Sequence, residues 1–105
     1  MKASESPEIE RLRRKLGVEL LWVFILSILK KSPSHAYVLR KKIEKQFGFL
    51  PGNVSSYVVL YKLEQRRFVA TKTDGNKVVY TITPKGNQLA QQAKKELKEK
   101  LRQIS

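Results

Sequence analysis

Apolar positions along the chain fall into successive blocks whose spacing changes from helical to alternating and back. In the first block Ile9, Leu12, Leu16, Leu20 and Phe24 recur at helical spacing, and Leu21, Ile25, Ile28 and Leu29 widen the stripe. Ser6-Pro7-Glu8 predicts its start, with a serine cap, proline at the first helical position and an acid near the positive helix end. Gly17 is where this helix is expected to bend or divide. The stripe holds more apolar residues than one face of a small monomer uses, which points to a second buried surface. Ser32-Pro33 restarts the chain as a second helix, with Ser32 or Ser34 as its cap and Gly48 as its stop. Ala36, Leu39, Ile43 and Phe47 form its inner stripe, while Arg40, Lys41, Lys42 and Lys45 lie mostly outside it.

After Leu50-Pro51-Gly52, Asn53 is expected to cap a third helix running to about Arg66. Val59, Leu60 and Leu63 are assigned to the core side of that helix, and Ser55, Val58, Tyr61 and Lys62 to the opposite side. The period then changes to two. Val69, Thr71 and Thr73 alternate up to Asp74-Gly75-Asn76, a hairpin turn signal, and Val78, Tyr80 and Ile82 alternate down the return strand. Thr83-Pro84 opens a terminal helix on which Leu89, Ala93, Leu97, Leu101 and Ile104 make a narrow apolar seam. The order helix, helix, helix, hairpin, helix predicts a mostly helical α+β fold. It is a winged helix-turn-helix with a helical extension at its N-terminus and a dimerisation helix at its C-terminus. The winged core spans about 8–83 and the terminal helix about 84–105 of one domain.

Composition narrows the class. With 105 residues, 41% hydrophobic and 30% charged, the chain is long enough for one modest core. It contains no cysteine, so disulfides, thiolate chemistry and cysteine-based zinc sites are excluded and a reducing, cytoplasmic setting is expected. The N-terminal MKASESPEIE has no apolar core of a signal peptide. The most apolar run, Val18 to Leu29, includes Glu19 and is too short to cross a bilayer, so no membrane partner is expected.

Charge changes the picture most. Lys and Arg number 22 against 9 Asp and Glu, a formal net charge of +13. The excess is spread along the chain rather than held in a tail. A uniformly positive small fold suits a polyanion, because each neutralised phosphate releases counterions. The rival reading is a merely soluble, lysine-rich surface.

On these grounds the third helix is the candidate reader of double-stranded DNA. Asn53, Ser55 and Ser56 stand at its N-terminal end, where side chains approach base edges and backbone N–H groups attract phosphate. Tyr57 and Tyr61 are candidates for the groove wall, and Lys62 for a phosphate or a guanine. Alternatively, Tyr57 packs in the core and the serines only cap. Lys72, Thr73, Asn76 and Lys77 on the wing, with Arg40, Lys41 and Lys42 on the second helix, are phosphate candidates.

His35 is the chain's one histidine and, without cysteines, lacks partners for a zinc site, so a structural role is expected. Trp22 suits the core or an interface. No nucleophile constellation, phosphate-cradling loop or paired carboxylates suggest an enzyme, and no cofactor is expected. RNA-binding and protein-interaction modules are the alternatives, though the exposed aromatic sheet or arginine-rich tract common in RNA readers is missing. The first-helix stripe and the terminal seam together predict a homodimer built on Leu12, Leu16, Leu20, Trp22, Leu89, Ala93, Leu97, Leu101 and Ile104.

Several segments resemble the PadR family of transcriptional regulators. Ile25-Leu26-Ser27-Ile28-Leu29 is similar to the family's apolar first-helix motif. Pro33, His35 and Tyr37 are similar to its proline followed by His-Gly-Tyr, with Ala36 in place of glycine. Tyr57 to Glu64 is similar to Tyr-Pro-x-Leu-x-x-Leu-Glu, with Val58 in place of proline. Tyr80-Thr81-Ile82-Thr83-Pro84-Lys85-Gly86 is similar to its Tyr-x-Leu-Thr-Pro-x-Gly signature.

Two departures bear on the start of the third helix and on base specificity. Pro51-Gly52 stands two residues earlier than the family's Pro-Gly, and Arg67 replaces a usual glycine before the wing. The resemblance implies a short family form, a two-fold dimer through the terminal helix and first helix, and Tyr37 as a phosphate contact. It also implies repression by occupying a pseudo-palindromic operator in the nucleoid. Any small-molecule effector is expected in an apolar pocket near Trp22 at the dimer interface.

Overall fold

The computed structural model describes residues 6–105; the start of the N-terminal segment that lacks a signal peptide's apolar core, residues 1–5, lies outside them. Its elements are α1 (Pro7–Val18), α2 (Leu21–Lys31), β1 (Ser34–His35), α3 (Ala36–Phe47), α4 (Asn53–Gln65), β2 (Val69–Asp74), β3 (Lys77–Ile82) and α5 (Pro84–Ile104). The α2 helix is the hub. Leu21, Ile25, Leu26, Ile28 and Leu29 are buried against Leu39 and Ile43 of α3, Leu60 and Leu63 of α4, and Val69 and Tyr80 of the strands. Phe24 and Phe47 stack with ring centroids 4.1 Å apart, and the Phe49 ring meets Phe24 edge-on at 6.1 Å. Aromatic pairs at these separations add to the area they bury.

The caps of two helices and the number of strands are corrected. The first helical stripe does divide close to Gly17, into two helices separated at Glu19–Leu20. The break lets the strongly apolar α2 enter the core while α1 leaves it, and Gly17 is the one buried residue of α1. The second helix starts at Ala36 after His35, with no side-chain cap, because Ser34 and His35 are drawn into a short strand instead. That strand pairs antiparallel with β3 (Ser34 opposite Tyr80, His35 opposite Val79), so the hairpin becomes a three-stranded sheet of order β1-β3-β2. In α4, Asn53 is the first helical residue and Gly52 the cap position, again without a side-chain cap.

Other signals act where expected. The Ser6 hydroxyl accepts from the Ile9 amide at 3.2 Å. Gly48 ends α3 in the left-handed region at φ 81°. The β2–β3 register runs from Val69 opposite Ile82 to Asp74 opposite Lys77, leaving Gly75 and Asn76 as a two-residue turn. Gly75, at φ 66°, supplies the positive φ that such a turn needs.

α5 packs Leu89 and Ala90 onto the core and then runs past it. Leu97, Leu101 and Ile104 are exposed, as are Leu12 and Leu16 of α1.

Candidate nucleic-acid interface

α4 is the one helix among the described residues that is not amphipathic, because both its faces carry apolar side chains. Ser56, Leu60 and Leu63 face inward. Val54, Tyr57, Val58 and Tyr61 face outward, with Lys62 and Gln65 beside them. Ser56 is therefore corrected as a DNA candidate. It is 2% exposed, its hydroxyl donates to the Gly52 carbonyl at 2.7 Å, and its amide bonds the same oxygen at 2.9 Å. It closes the first turn from inside, whereas Ser55 and Asn53 remain exposed. Tyr57 is half exposed, so packing in the core is ruled out as its whole role. The Tyr61 hydroxyl accepts from Gln65 Nε2 at 2.9 Å, which holds the phenol along the helix.

Three elements converge beside Tyr57. A concavity of about 400 Å³ is bordered by His35 and Tyr37 at the start of α3, Tyr57 of α4, and Asn76 and Lys77 of the wing. His35 holds this arrangement. Its Nδ1 lies 3.4 Å from the Val78 carbonyl, which can only accept, so the ring donates and ties the α3 start to β3. Tyr80 is the buried floor of the same concavity. Burial pushes its phenol above its ordinary value, and Tyr57 and Glu64 push it further in the same direction, so it stays neutral. Lys72, Thr73, Asn76 and Lys77 are all exposed on the wing, with Asp74 among them.

The basic residues of α3 divide. Lys41 is exposed, 5.8 Å above the Tyr37 ring and 3.9 Å from Glu44. Arg40 is half-buried, and its Nε donates to the Pro51 carbonyl at 3.0 Å, which fixes the loop that leads into α4. Lys42 lies on the other flank of α3, its Nζ 3.5 Å from the Ser32 hydroxyl, near Lys31 and Lys45. The structure thus brings Tyr37 beside Tyr57 of α4, gives Arg40 a bracing role, and sets Lys42 on a separate patch.

The segment Thr83 to Gly86 clamps the junction between α4 and the wing. The Thr83 hydroxyl lies 2.7 Å from the Arg67 carbonyl and 3.1 Å from that of Phe68, and it accepts from the Gly86 amide at 3.0 Å. Lys85 Nζ donates to the Arg66 carbonyl at 2.9 Å. A Cβ on Gly86 would meet Ile82 Cγ1 at 2.8 Å and press harder still on the Phe68 carbonyl oxygen, so only glycine fits. Arg67 itself holds φ 65°, a left-handed conformation that costs a side-chain-bearing residue about 1–2 kcal/mol. Glu64 adds a further tie, accepting from the Thr71 hydroxyl at 2.8 Å.

Residues 25–92 match the transcriptional regulator PadR-like family. The chain belongs to that family. PadR-like regulators are DNA-binding transcription regulators with a winged-helix fold, and this chain has that fold. A transcriptional regulator from Clostridium thermocellum superposes with a TM-score of 0.79 at 20% identity, over 86% of this chain and 94% of its own. A PadR family regulator from Eggerthella lenta gives 0.79 at 18% identity, over 99% of this chain and 90% of its own. A PadR family regulator from Clostridium difficile gives 0.71 at 19% identity, over 81% and 97%. Among curated proteins no match is found.

Among the described residues, no helix of this PadR-like chain is long and apolar enough to cross a membrane, and no group of three or more His, Asp or Glu could hold a metal. The dimer residues named from the sequence lie on two kinds of surface. Leu12, Leu16, Leu97, Leu101 and Ile104 are exposed, whereas Leu20, Trp22, Leu89 and Ala93 are half-buried within one chain. Trp22 packs against the core and borders an open cavity of about 450 Å³ with Leu63, Phe68 and Leu89. Val54 and Val58 received no functional role from the sequence. Their side chains sit in the middle of the outward face of α4, where helical spacing had already placed Val58.

Proposed function

We propose that this PadR-like chain is a dimeric repressor that binds a pseudo-palindromic operator, with α4 in the major groove and the β2–β3 wing on the flanking phosphates. The convergence of Tyr37, Tyr57, Asn76 and Lys77 around one concavity carries the reading. It sets the exposed edge of α4 between two elements able to bond phosphate, in a chain of net charge +13. Phosphate contacts from α3 and the wing fix the register, and α4 supplies the contacts to bases.

Dimerisation follows from the exposed apolar rows of α1 and α5, which one small core leaves uncovered. Two copies related by a two-fold axis present two α4 helices to successive major grooves. Half-site centres are then about one helical turn apart. Occupying a promoter in this way represses without a polymerase-contacting surface. The cavity beside Trp22 lies next to those rows and is the place for a small-molecule effector.

The test is selection of bound duplexes from a random pool, followed by footprinting, with light scattering on the same protein. The expected results are a symmetric site and a mass about twice 12.2 kDa. Lys72→Ala or Lys77→Ala should weaken all duplexes alike and lower the salt slope by about one. Equal affinity for single-stranded RNA and any duplex, or a monomer at micromolar concentration, would overturn the reading.

A further inference from the structure

The outward face of α4 carries a feature that phosphate binding does not explain. Val54 is 76% exposed and Val58 46%, and neither belongs to the core cluster. Four residues apart on one helix, they lie on the same side, about 6 Å apart along the axis. Neither side chain can donate or accept a hydrogen bond. The polar neighbours that could reach DNA have other chemistry. Ser55 both donates and accepts, so its hydroxyl discriminates bases poorly, and the Tyr57 and Tyr61 phenols suit phosphate oxygens. The two valines are left at the centre of the surface.

In the major groove the base edges are donors and acceptors, with one exception: thymine adds a C5-methyl group. We propose that Val54 and Val58 read thymine, each packing its methyl groups against a thymine C5-methyl. This rests on the placement of α4 in the major groove proposed above. The contact discriminates in two ways. Apolar surface is removed from water on both partners when thymine is present. A valine set against cytosine or guanine instead desolvates an amino group or an oxygen without offering it a partner. The spacing fits as well, since about 6 Å along the helix spans nearly two base-pair rises of roughly 3.4 Å, so the two valines address base pairs about two steps apart.

A second copy of the chain is the rival occupant, because Val54 and Val58 also edge a groove of about 410 Å³ with Val18 and Leu50. Two observations favour DNA. The valines alternate along the helix with Tyr57 and Tyr61, beside Lys62, and the same surface runs into the concavity shared with the α3 start and the wing. The apolar rows with coiled-coil spacing are elsewhere, on α5.

The experiment uses the full chain and the best duplex from the random pool. Each thymine is replaced in turn by deoxyuridine, which removes only the C5-methyl. The wild-type protein should lose about fourfold in affinity at one or more thymines of each half-site, the equivalent of ~0.8 kcal/mol per methyl group. Val54→Ala or Val58→Ala should erase that loss, binding the thymine and uracil duplexes equally. Tyr61→Ala should keep it.

A selected duplex indifferent to every uracil replacement would overturn the inference while leaving the DNA reading intact. The inference also fails if the valine variants lose their dimer mass in light scattering and keep the thymine preference. Failure to select any duplex would overturn the DNA reading and this inference with it.

Discussion

α4 and α5 both leave apolar side chains in the open, yet the two surfaces differ in make-up. On α5 the exposed residues are Leu97, Leu101 and Ile104, spaced four and three apart, with Arg102 paired to Glu99 alongside (Nε to Oε2, 3.0 Å). Large aliphatics at that spacing, flanked by paired charges, are the pattern of helix-to-helix seams in general, which is why the proposed dimer is placed there. On α4 the exposed residues are Val54, Tyr57, Val58 and Tyr61, with Lys62 and two serine-or-asparagine side chains nearby. Short aliphatics alternating with phenols make the kind of surface that the proposed DNA contact sets against methyl groups and phosphate oxygens together. Exposure of apolar area alone would have made both helices look like protein interfaces. Size, spacing and neighbouring charge separate them.

The largest perturbation removes both surfaces at once. Gly86 fixes where α5 leaves the α4–wing junction, because the Phe68 carbonyl occupies the space of a side chain. Gly86→Ala forces backbone apart and should cost about 3 kcal/mol, lowering Tm by roughly 10–20 °C in thermal unfolding followed by circular dichroism. DNA binding and dimerisation should fall together in that variant.

A change on α5 alone should split the two functions. Leu97→Glu with Leu101→Glu places two charges in the seam, at positions one chain leaves exposed. The dimer should weaken at least about 100-fold, the equivalent of ~3 kcal/mol, in sedimentation or light scattering. Helix content of the monomer should be retained. Operator affinity should drop with the dimer, while nonspecific binding per chain persists.

On α4 the converse should hold. Tyr61→Ala should reduce operator affinity about 30-fold, close to 2 kcal/mol for a lost hydrogen bond to a charged phosphate and its packing. Ser55→Ala should cost about 1 kcal/mol. Neither should change the oligomer. Titrations against operator and scrambled duplex at fixed salt measure both, and a dimer loss in Tyr61→Ala would erase the distinction drawn between the helices.

The smallest expected effect is a gain. Arg67 connects α4 to the wing at φ 65°, where glycine carries no steric penalty. Arg67→Gly should stabilise the fold by about 1 kcal/mol in denaturant unfolding, the relief of strain exceeding the added freedom of the unfolded chain. DNA affinity should change little.

Much of this architecture is legible in the residues alone. The 3.6-residue period of Ala36, Leu39, Ile43 and Phe47, the two-residue period around Asp74-Gly75-Asn76, and the Ser6 and Thr83 caps are local signals. Local backbone and solvent physics is enough to act on them. The apolar row on α5 belongs with these as a helical stripe, although its start, Leu89, packs on the chain's own core and only Leu97, Leu101 and Ile104 are left exposed. The Thr83-Pro84-Lys85-Gly86 motif could be recognised as a family mark, but its reason could not: the carbonyls it clamps are fifteen to nineteen residues away.

Tertiary structure decided the rest. A two-residue strand such as Ser34–His35 has no period to detect and exists only because β3 offers it a free edge. Gly17 marked a break in the first helical stripe, but its place at Glu19–Leu20 follows from α2 being drawn into the core while α1 is not. On α4, helical spacing placed Leu60 and Leu63 inside and Ser55, Val58, Tyr61 and Lys62 outside, as the structure has them, but it did not place Ser56 or Val54. Packing against α2 and β2 turned Ser56 inward and left Val54 facing out. How far Ser56 and Val54 stand out from the core was therefore fixed by how one helix rotates on its neighbours, a property of the assembled core rather than of any stretch of sequence.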